Sequence, residues 1–224
     1  MSDATQIVAI DGPAGAGKST TAKAVARILG FAFLDTGAMY RAATWWALDQ
    51  GVDLDDPAAI AAHTARMNLE MAETDNGQIV RVNGADVSDA IRSPEITRLI
   101  YKLDQNSEVR AQLVALQRRF GEQQPTVAEG RDIGTVVFPR ARCKIFLDAS
   151  LDTRTERRAR QLEEKGLAAD REKLRAELNE RDEQSRNRAD SPLRQADDAI
   201  RVDTTSMTFD EAVDAIAALA RKAL

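Results

Sequence analysis

The chain has 224 residues, a net charge of −5, 43% hydrophobic and 30% charged residues, which is the size and balance of one α/β domain with insertions. The acidic balance argues against a general nucleic-acid binder, and a single cysteine, Cys143, rules out an internal disulfide framework. No apolar run approaches the ~20 residues of a membrane span, and Met1 to Gln6 is short and polar without a signal-peptide pattern, so a cytoplasmic protein is expected.

The apolar run Ile7-Val8-Ala9-Ile10 reads as a buried strand. It leads into Gly12-Pro13-Ala14-Gly15-Ala16-Gly17-Lys18-Ser19-Thr20, which fits G-x-x-x-x-G-K-[ST] without a mismatch. Thr21 to Leu29 follows as a helix with Ala22, Val25, Ala26 and Leu29 on one face, and Gly30 stops it. Glycines between a strand and a helix let backbone N–H groups turn inward. The helix N-terminus adds roughly half a positive charge. This stretch is therefore expected to hold the phosphates of a nucleoside triphosphate, with Lys18 at the β/γ-phosphates and Ser19 on Mg²⁺. It does not say what accepts the phosphate.

Phe31-Ala32-Phe33-Leu34 is a second short strand, ending in Asp35-Thr36-Gly37-Ala38-Met39-Tyr40-Arg41. Ligands sit at such carboxyl ends of strands in open α/β sheets. Arg41 either forks onto a phosphate or is a surface arginine of the next helix. Trp45 and Trp46 point to different sides of that helix, and one of them is expected in the core. Asp55-Asp56-Pro57 opens a helix. Leu69–Ala72 and Ile79–Val82, separated by Asp75-Asn76-Gly77, and the turn Asn83-Gly84 before Val87 predict a small antiparallel meander. His63, just before it, is a lone histidine and takes a structural reading.

Ser93-Pro94-Glu95 caps a helix toward Leu103, and Val109 to Phe120 is another. The third core strand, Pro125 to Ala128, ends in Glu129-Gly130-Arg131-Asp132-Ile133-Gly134-Thr135. Arg131 and Asp132 form either a structural ion pair or a cation for a phosphate beside an acceptor for a base. Cys143 to Leu147 is the fourth strand. Arg154, Arg157 and Arg158 share one side of the helix that follows, as a solvated face or as a lid aimed at a transferring phosphoryl group. Residues 170–189 predict a helix whose inward stripe runs Leu174, Leu178, Arg181, Ser185, Arg188, turning from apolar to polar as a cleft-bordering helix does. Asp198 to Val202 is the last strand and Phe209 to Leu224 a closing helix. The βα alternation predicts a parallel sheet covered by helices.

The joint pattern of Gly12 to Ser19, Leu34-Asp-Thr-Gly-Ala-Met-Tyr-Arg41, Gly130-Arg-Asp-Ile-Gly-Thr135, Lys144-Ile-Phe-Leu-Asp-Ala149 and Arg181-Asp182 to Arg188 resembles the bacterial cytidylate kinases over essentially the whole chain. The inserted meander also resembles that family. The resemblance implies a P-loop three-layer αβα fold with a five-stranded parallel sheet, an inserted monophosphate-binding domain with a small antiparallel sheet, and a short helical lid. The boundaries it implies are 1–34 and 112–224 for the core, 35–111 for the inserted domain with its β insertion near 63–88, and 150–170 for the lid. It implies phosphoryl transfer from ATP to CMP and dCMP with Mg²⁺, by a monomer. Thr36, Arg41, Arg131 and Arg188 would hold the monophosphate. Asp132 and Arg110 would face the cytosine, with Tyr101 nearby, and Arg181 the ribose, beside Ser185. Lys18, Arg131, Arg154, Arg157 and Arg158 would carry catalysis, and Asp35 or Asp132 would reach Mg²⁺ through water. Two positions depart from the family's pattern: Ser185 replaces an acidic residue and Tyr101 a small hydroxyl residue. Other monophosphate or small-metabolite kinases share this core. A guanine-nucleotide switch is disfavoured, because the sequence has no Asn-Lys-x-Asp segment.

Overall fold

A computed structural model describes residues 6–74, 77–164 and 166–224. Asp75 and Asn76 of the expected meander turn, and Met1 to Thr5 of the leading segment, lie outside the described residues. The chain divides into two compact units, one formed by residues up to Leu34 together with Gly121–Leu224, the other by Asp35–Phe120.

In chain order, β1 (Ile7–Asp11), α1 (Lys18–Leu29) and β2 (Ala32–Asp35) come first. Next are α2 (Thr36–Asp49), α3 (Pro57–Thr64), β3 (Leu69–Thr74), β4 (Gly77–Val82) and β5 (Ala85–Asp86). A 3-10 turn (Ala90–Arg92), α4 (Pro94–Leu99), α5 (Tyr101–Asp104) and α6 (Ser107–Gln123) follow. The chain ends with β6 (Thr126–Gly130), a π-helical turn (Ile133–Val137), β7 (Cys143–Asp148), α7 (Leu151–Glu163), α8 (Arg171–Arg186), β8 (Ile200–Asp203) and α9 (Phe209–Ala223).

The first unit is built on a five-stranded parallel sheet in the order β2-β6-β1-β7-β8. β1 is central and the chain departs from it to either side, so the loop after β1 opens at the topological switch point where α/β sheets bind ligands. Val8, Ile10, Ile145 and Leu147 face Ala22, Val25 and Ala26 of α1 and Val213, Ile216 and Ala220 of α9. Each large side chain so buried contributes about 1.5–3 kcal/mol. Gly121 admits close packing on another side of the sheet, since a Cβ there would stand 2.6 Å from Phe138 Cζ and 3.1 Å from Ile7 Cδ1. Cys143 is buried, and burial pushes its thiol up to about 11, as suits a packing residue.

The second unit carries the three-stranded antiparallel meander β3-β4-β5. Asn83 and Gly84, at φ 50° and 84°, form the tight turn between β4 and β5 that their sequence predicts. Val80, Val82, Ile60, Ile91, Leu103 and Leu113 form its core with Ala42 and Ala43 of α2. Neither tryptophan is fully buried, contrary to the expectation of one core tryptophan. Both instead pack against this cluster, and the Trp46 ring lies 3.7 Å from that of buried His63. The single helix expected from Ser93 to Leu103 is two short ones, broken at Ile100. The Ser93 side chain does cap the first, accepting from Ile96 N–H.

Candidate active site

The phosphate loop is shaped by the strands it leaves. Gly12 has a φ of +154°, and a Cβ on it would stand 2.0 Å from the Leu147 carbonyl oxygen of β7. Gly17, left-handed at φ +91°, turns the chain into α1. Lys18 curls back so that its ammonium donates to the Pro13 carbonyl at 2.8 Å. Burial, reinforced by the positive charge of Arg131, pushes Lys18 down to about 7. Ser19 donates to Glu129 Oε1 at 2.6 Å, and Thr20 to the Gly17 carbonyl at 2.9 Å.

The carboxylate of Asp11, at the end of β1, accepts the N–H groups of Ile133 and Gly134, each at 2.7 Å. It thereby ties the residue before the phosphate loop to the turn that carries Arg131 and Asp132. Burial pushes Asp11 up to about 6, against the lowering effect of those two N–H groups, and the Asp132 charge adds to the rise. Arg131 donates to the Gly12 carbonyl, and Arg188 lies 3.9 Å from Asp132 while donating to the Ser191 carbonyl. The first unit thus gathers Arg131, Asp132 and Arg188 beside the phosphate loop.

The three arginines of α7 do not act alike. Arg154 is buried, pairs with Asp182 at 2.7 Å and donates to the Ala14 and Ala149 carbonyls. Arg157 is half-buried and donates to the Thr204 carbonyl and hydroxyl, with a longer contact to the Ala16 carbonyl. Arg158 is exposed and donates to Gln161, so the expectation that all three face one way is corrected. The inward stripe of α8 is also corrected. It runs Leu174, Leu178, Asp182, Ser185, with Arg181 only half-buried. Ser185 donates to the Arg181 carbonyl at 2.8 Å, a bond within its own helix.

The second unit carries the other candidates. Thr36 is buried at the first position of α2, whose N-terminus is capped by Asp35 accepting from Ala38 N–H at 2.9 Å. Asp35 caps this helix, and the carboxylate that accepts from the Ser19 hydroxyl is that of Glu129. Arg41, half-buried, donates to Thr97 Oγ1 at 2.7 Å. Arg110 is buried and donates to the Tyr40 hydroxyl at 3.1 Å, its guanidinium 5.6 Å from the Tyr40 ring centre. Tyr101 lines an open cleft with Leu54, Pro57, Ile60 and Gln105, a lining that includes none of Thr36, Arg41 and Arg110.

Four residues that hold this geometry have no role in the sequence reading: Asp11, Glu129, Asp182 and Tyr40. Asp11 and Glu129 carry the same signal as their neighbours, polar residues at the carboxyl ends of strands. Asp182 lies one helical turn after Leu178, where the stripe continues at i+4.

A family model for cytidylate kinase matches residues 8–222. A cytidylate kinase of Enterococcus faecalis is 44% identical over 209 residues, 93% of this chain and 92% of that protein. A bifunctional pantoate ligase/cytidylate kinase of Synechocystis sp. is 48% identical over 219 residues, 96% of this chain, which spans 43% of that longer protein. Among solved structures, a gluconokinase from Sinorhizobium meliloti superposes with a TM-score of 0.50 at 16% identity, covering 98% of this chain and 94% of that one, a likeness of fold alone. The glycine-rich loop, the Arg131–Asp132 turn and the match along almost the whole chain agree, and the chain belongs to the cytidylate kinase family.

Proposed function

We propose that the chain transfers the γ-phosphoryl group of ATP to CMP and dCMP, giving ADP with CDP or dCDP. The observation that carries this reading is a buried phosphate-loop lysine in one unit with Arg131, Asp132 and Arg188, in a chain of this family. In this reading the Gly12 to Thr20 loop holds the ATP phosphates. Thr36, Arg41, Arg131 and Arg188 hold the acceptor phosphate. Arg110 and Asp132 face the cytosine with Tyr101 nearby, and Arg181 and Ser185 the ribose. Residues 1–34 act as the core with the segment expected from 112 on, of which the compact unit takes Gly121–Leu224; the acceptor domain is the unit Asp35–Phe120, and 150–170 acts as a lid segment that carries Arg154, Arg157 and Arg158. The enzyme works as a cytoplasmic monomer on small molecules.

A phosphate oxygen of CMP attacks the γ-phosphorus in line. The bond from that phosphorus to the bridging oxygen breaks, and ADP leaves. The acceptor is already an oxyanion, so no covalent enzyme intermediate is needed. The protein contributes position and charge. Arginine suits this work because its charge is permanent and its fork matches phosphate oxygens.

The donor set fits Mg²⁺. Ser19 and Glu129 bring a hydroxyl and a carboxylate oxygen 2.6 Å apart, hard oxygen donors of the type Mg²⁺ accepts. Among the described residues no group of three or more His, Cys, Asp or Glu could hold a metal alone, which suits an ion held largely by substrate phosphates. When bound, it neutralises charge on the β- and γ-phosphates. The test is product identification with γ-labelled ATP, CMP and Mg²⁺. Label is expected in CDP. Label appearing only in inorganic phosphate would refute the proposal.

A further inference from the structure

Asp182 is 1% exposed and fully engaged. One carboxylate oxygen accepts the Ala14 N–H of the phosphate loop at 2.8 Å, and the other pairs with Arg154 of α7 at 2.7 Å. The Arg154 guanidinium returns to the same peptide segment, donating to the Ala14 carbonyl at 2.8 Å and, through Nε, to the Ala149 carbonyl at 3.0 Å. Ala14 is therefore gripped at both its N–H and its C=O. The grip reaches the loop from α8, the helix that carries Arg181 one residue before Asp182 and Ser185 three residues after it, with Arg188 just beyond its end.

The arrangement joins three elements through one buried carboxylate. A charge in such a site persists only when paired and hydrogen-bonded, and removing one partner is strongly felt. Gly15, next in the loop, leaves little slack, because a Cβ there would stand 3.3 Å from Arg154 Cβ and 3.4 Å from a Leu178 methyl. A shift of the loop must therefore carry α8 and Arg154 with it.

We infer that Asp182 is a positioning residue that locks α8 and Arg154 to the phosphate loop, so that filling the ATP site sets the arginines that meet the acceptor. Asp182 touches neither substrate in this account. It acts through the register of α8, and the inference rests on the function proposed above. Binding of one nucleotide then favours binding of the other, a coupling of the size usual between linked sites, about 5- to 150-fold.

The test is calorimetric titration of CMP into the protein, with and without a non-hydrolysable ATP analogue and Mg²⁺, for wild type and Asp182→Asn. Asparagine keeps the shape and one acceptor but turns an N–H₂ group toward either Arg154 or the Ala14 N–H. The expected result is CMP affinity raised at least about fivefold by the analogue in wild type, and less than about twofold in the folded variant. A role confined to folding lowers the active fraction and the urea midpoint but leaves this ratio unchanged, and that outcome overturns the inference. Wild type that binds both nucleotides without mutual enhancement overturns it as well, while leaving the proposed function standing. Wild type that binds neither overturns both. Should Asp182→Asn not fold, hydrogen exchange on wild type decides: CMP alone is expected to slow exchange in the peptide spanning Gly12 to Lys18, and no change there overturns the inference.

Discussion

The Asp11 carboxylate faces two N–H donors, and its substitution by asparagine yields a signed, pH-dependent result. Asp11 is raised from an ordinary 3.8 to about 6 by burial, so its native state holds the proton more tightly than the unfolded chain. The stability this confers is fully present below pH 3.8 and is lost as pH rises to about 6. At about 1.36 kcal/mol per pH unit, the part lost between pH 4.5 and 7.5 is about 2 kcal/mol. Asparagine cannot ionise, so Asp11→Asn removes that slope. It also has one carbonyl oxygen for the two donors of Ile133 and Gly134, which adds a constant cost of about 1–3 kcal/mol. The constant cost cancels when the stability difference between variant and wild type is compared at two pH values. Urea unfolding followed by circular dichroism should show the difference moving by about 2 kcal/mol in the variant's favour from pH 4.5 to 7.5. A difference that is the same at both pH values, or moves the other way, refutes the reasoning.

Lys18 sits near 7 in the free protein, below its unfolded 10.5, so stability should rise with pH between those values. If Lys18 meets the ATP phosphates as proposed, ATP binding at pH 8 should take up close to one proton, read as binding heats that differ between buffers of different ionisation enthalpy. Equal heats would contradict this. Gly12→Ala puts a Cβ 2.0 Å from the Leu147 carbonyl oxygen in a strand that cannot retreat, and should lower the unfolding free energy from urea titration by more than about 4 kcal/mol or abolish folding. Near-wild-type stability would mean that the loop is less tightly held. Glu129→Gln should raise the Mg²⁺ concentration needed for half-maximal nucleotide binding by on the order of tenfold. An unchanged requirement would remove Glu129 from the metal's surroundings.

The sheet was legible because each core strand is a short apolar run followed by polar residues, and the loop motif stands between such a run and an alanine-rich helix. The Asn83-Gly84 turn was legible because both residues tolerate positive φ, as observed. The break at Ile100 was not, since no proline or glycine marks it. The stripe of α8 departs from its expected course at one step. From Leu178 both i+3 and i+4 are allowed, and the charge of Asp182 gave no reason to choose burial until Arg154 and Ala14 are seen to satisfy it. The same holds for Arg154, Arg157 and Arg158. Their spacing allows one face, but the loop carbonyls and Thr204 select two of them. The resemblance implies Ser185 beside the ribose, and the bond its hydroxyl donates to the Arg181 carbonyl of its own helix is one that spacing does not disclose.

The central claim is best tested by measuring ADP release from Mg-ATP with CMP, dCMP, UMP, AMP or no acceptor. Rapid turnover with CMP, turnover with dCMP and little release without an acceptor are expected, because arginines placed as proposed would favour a phosphate oxygen over water. Release that no acceptor raises above the control would contradict it.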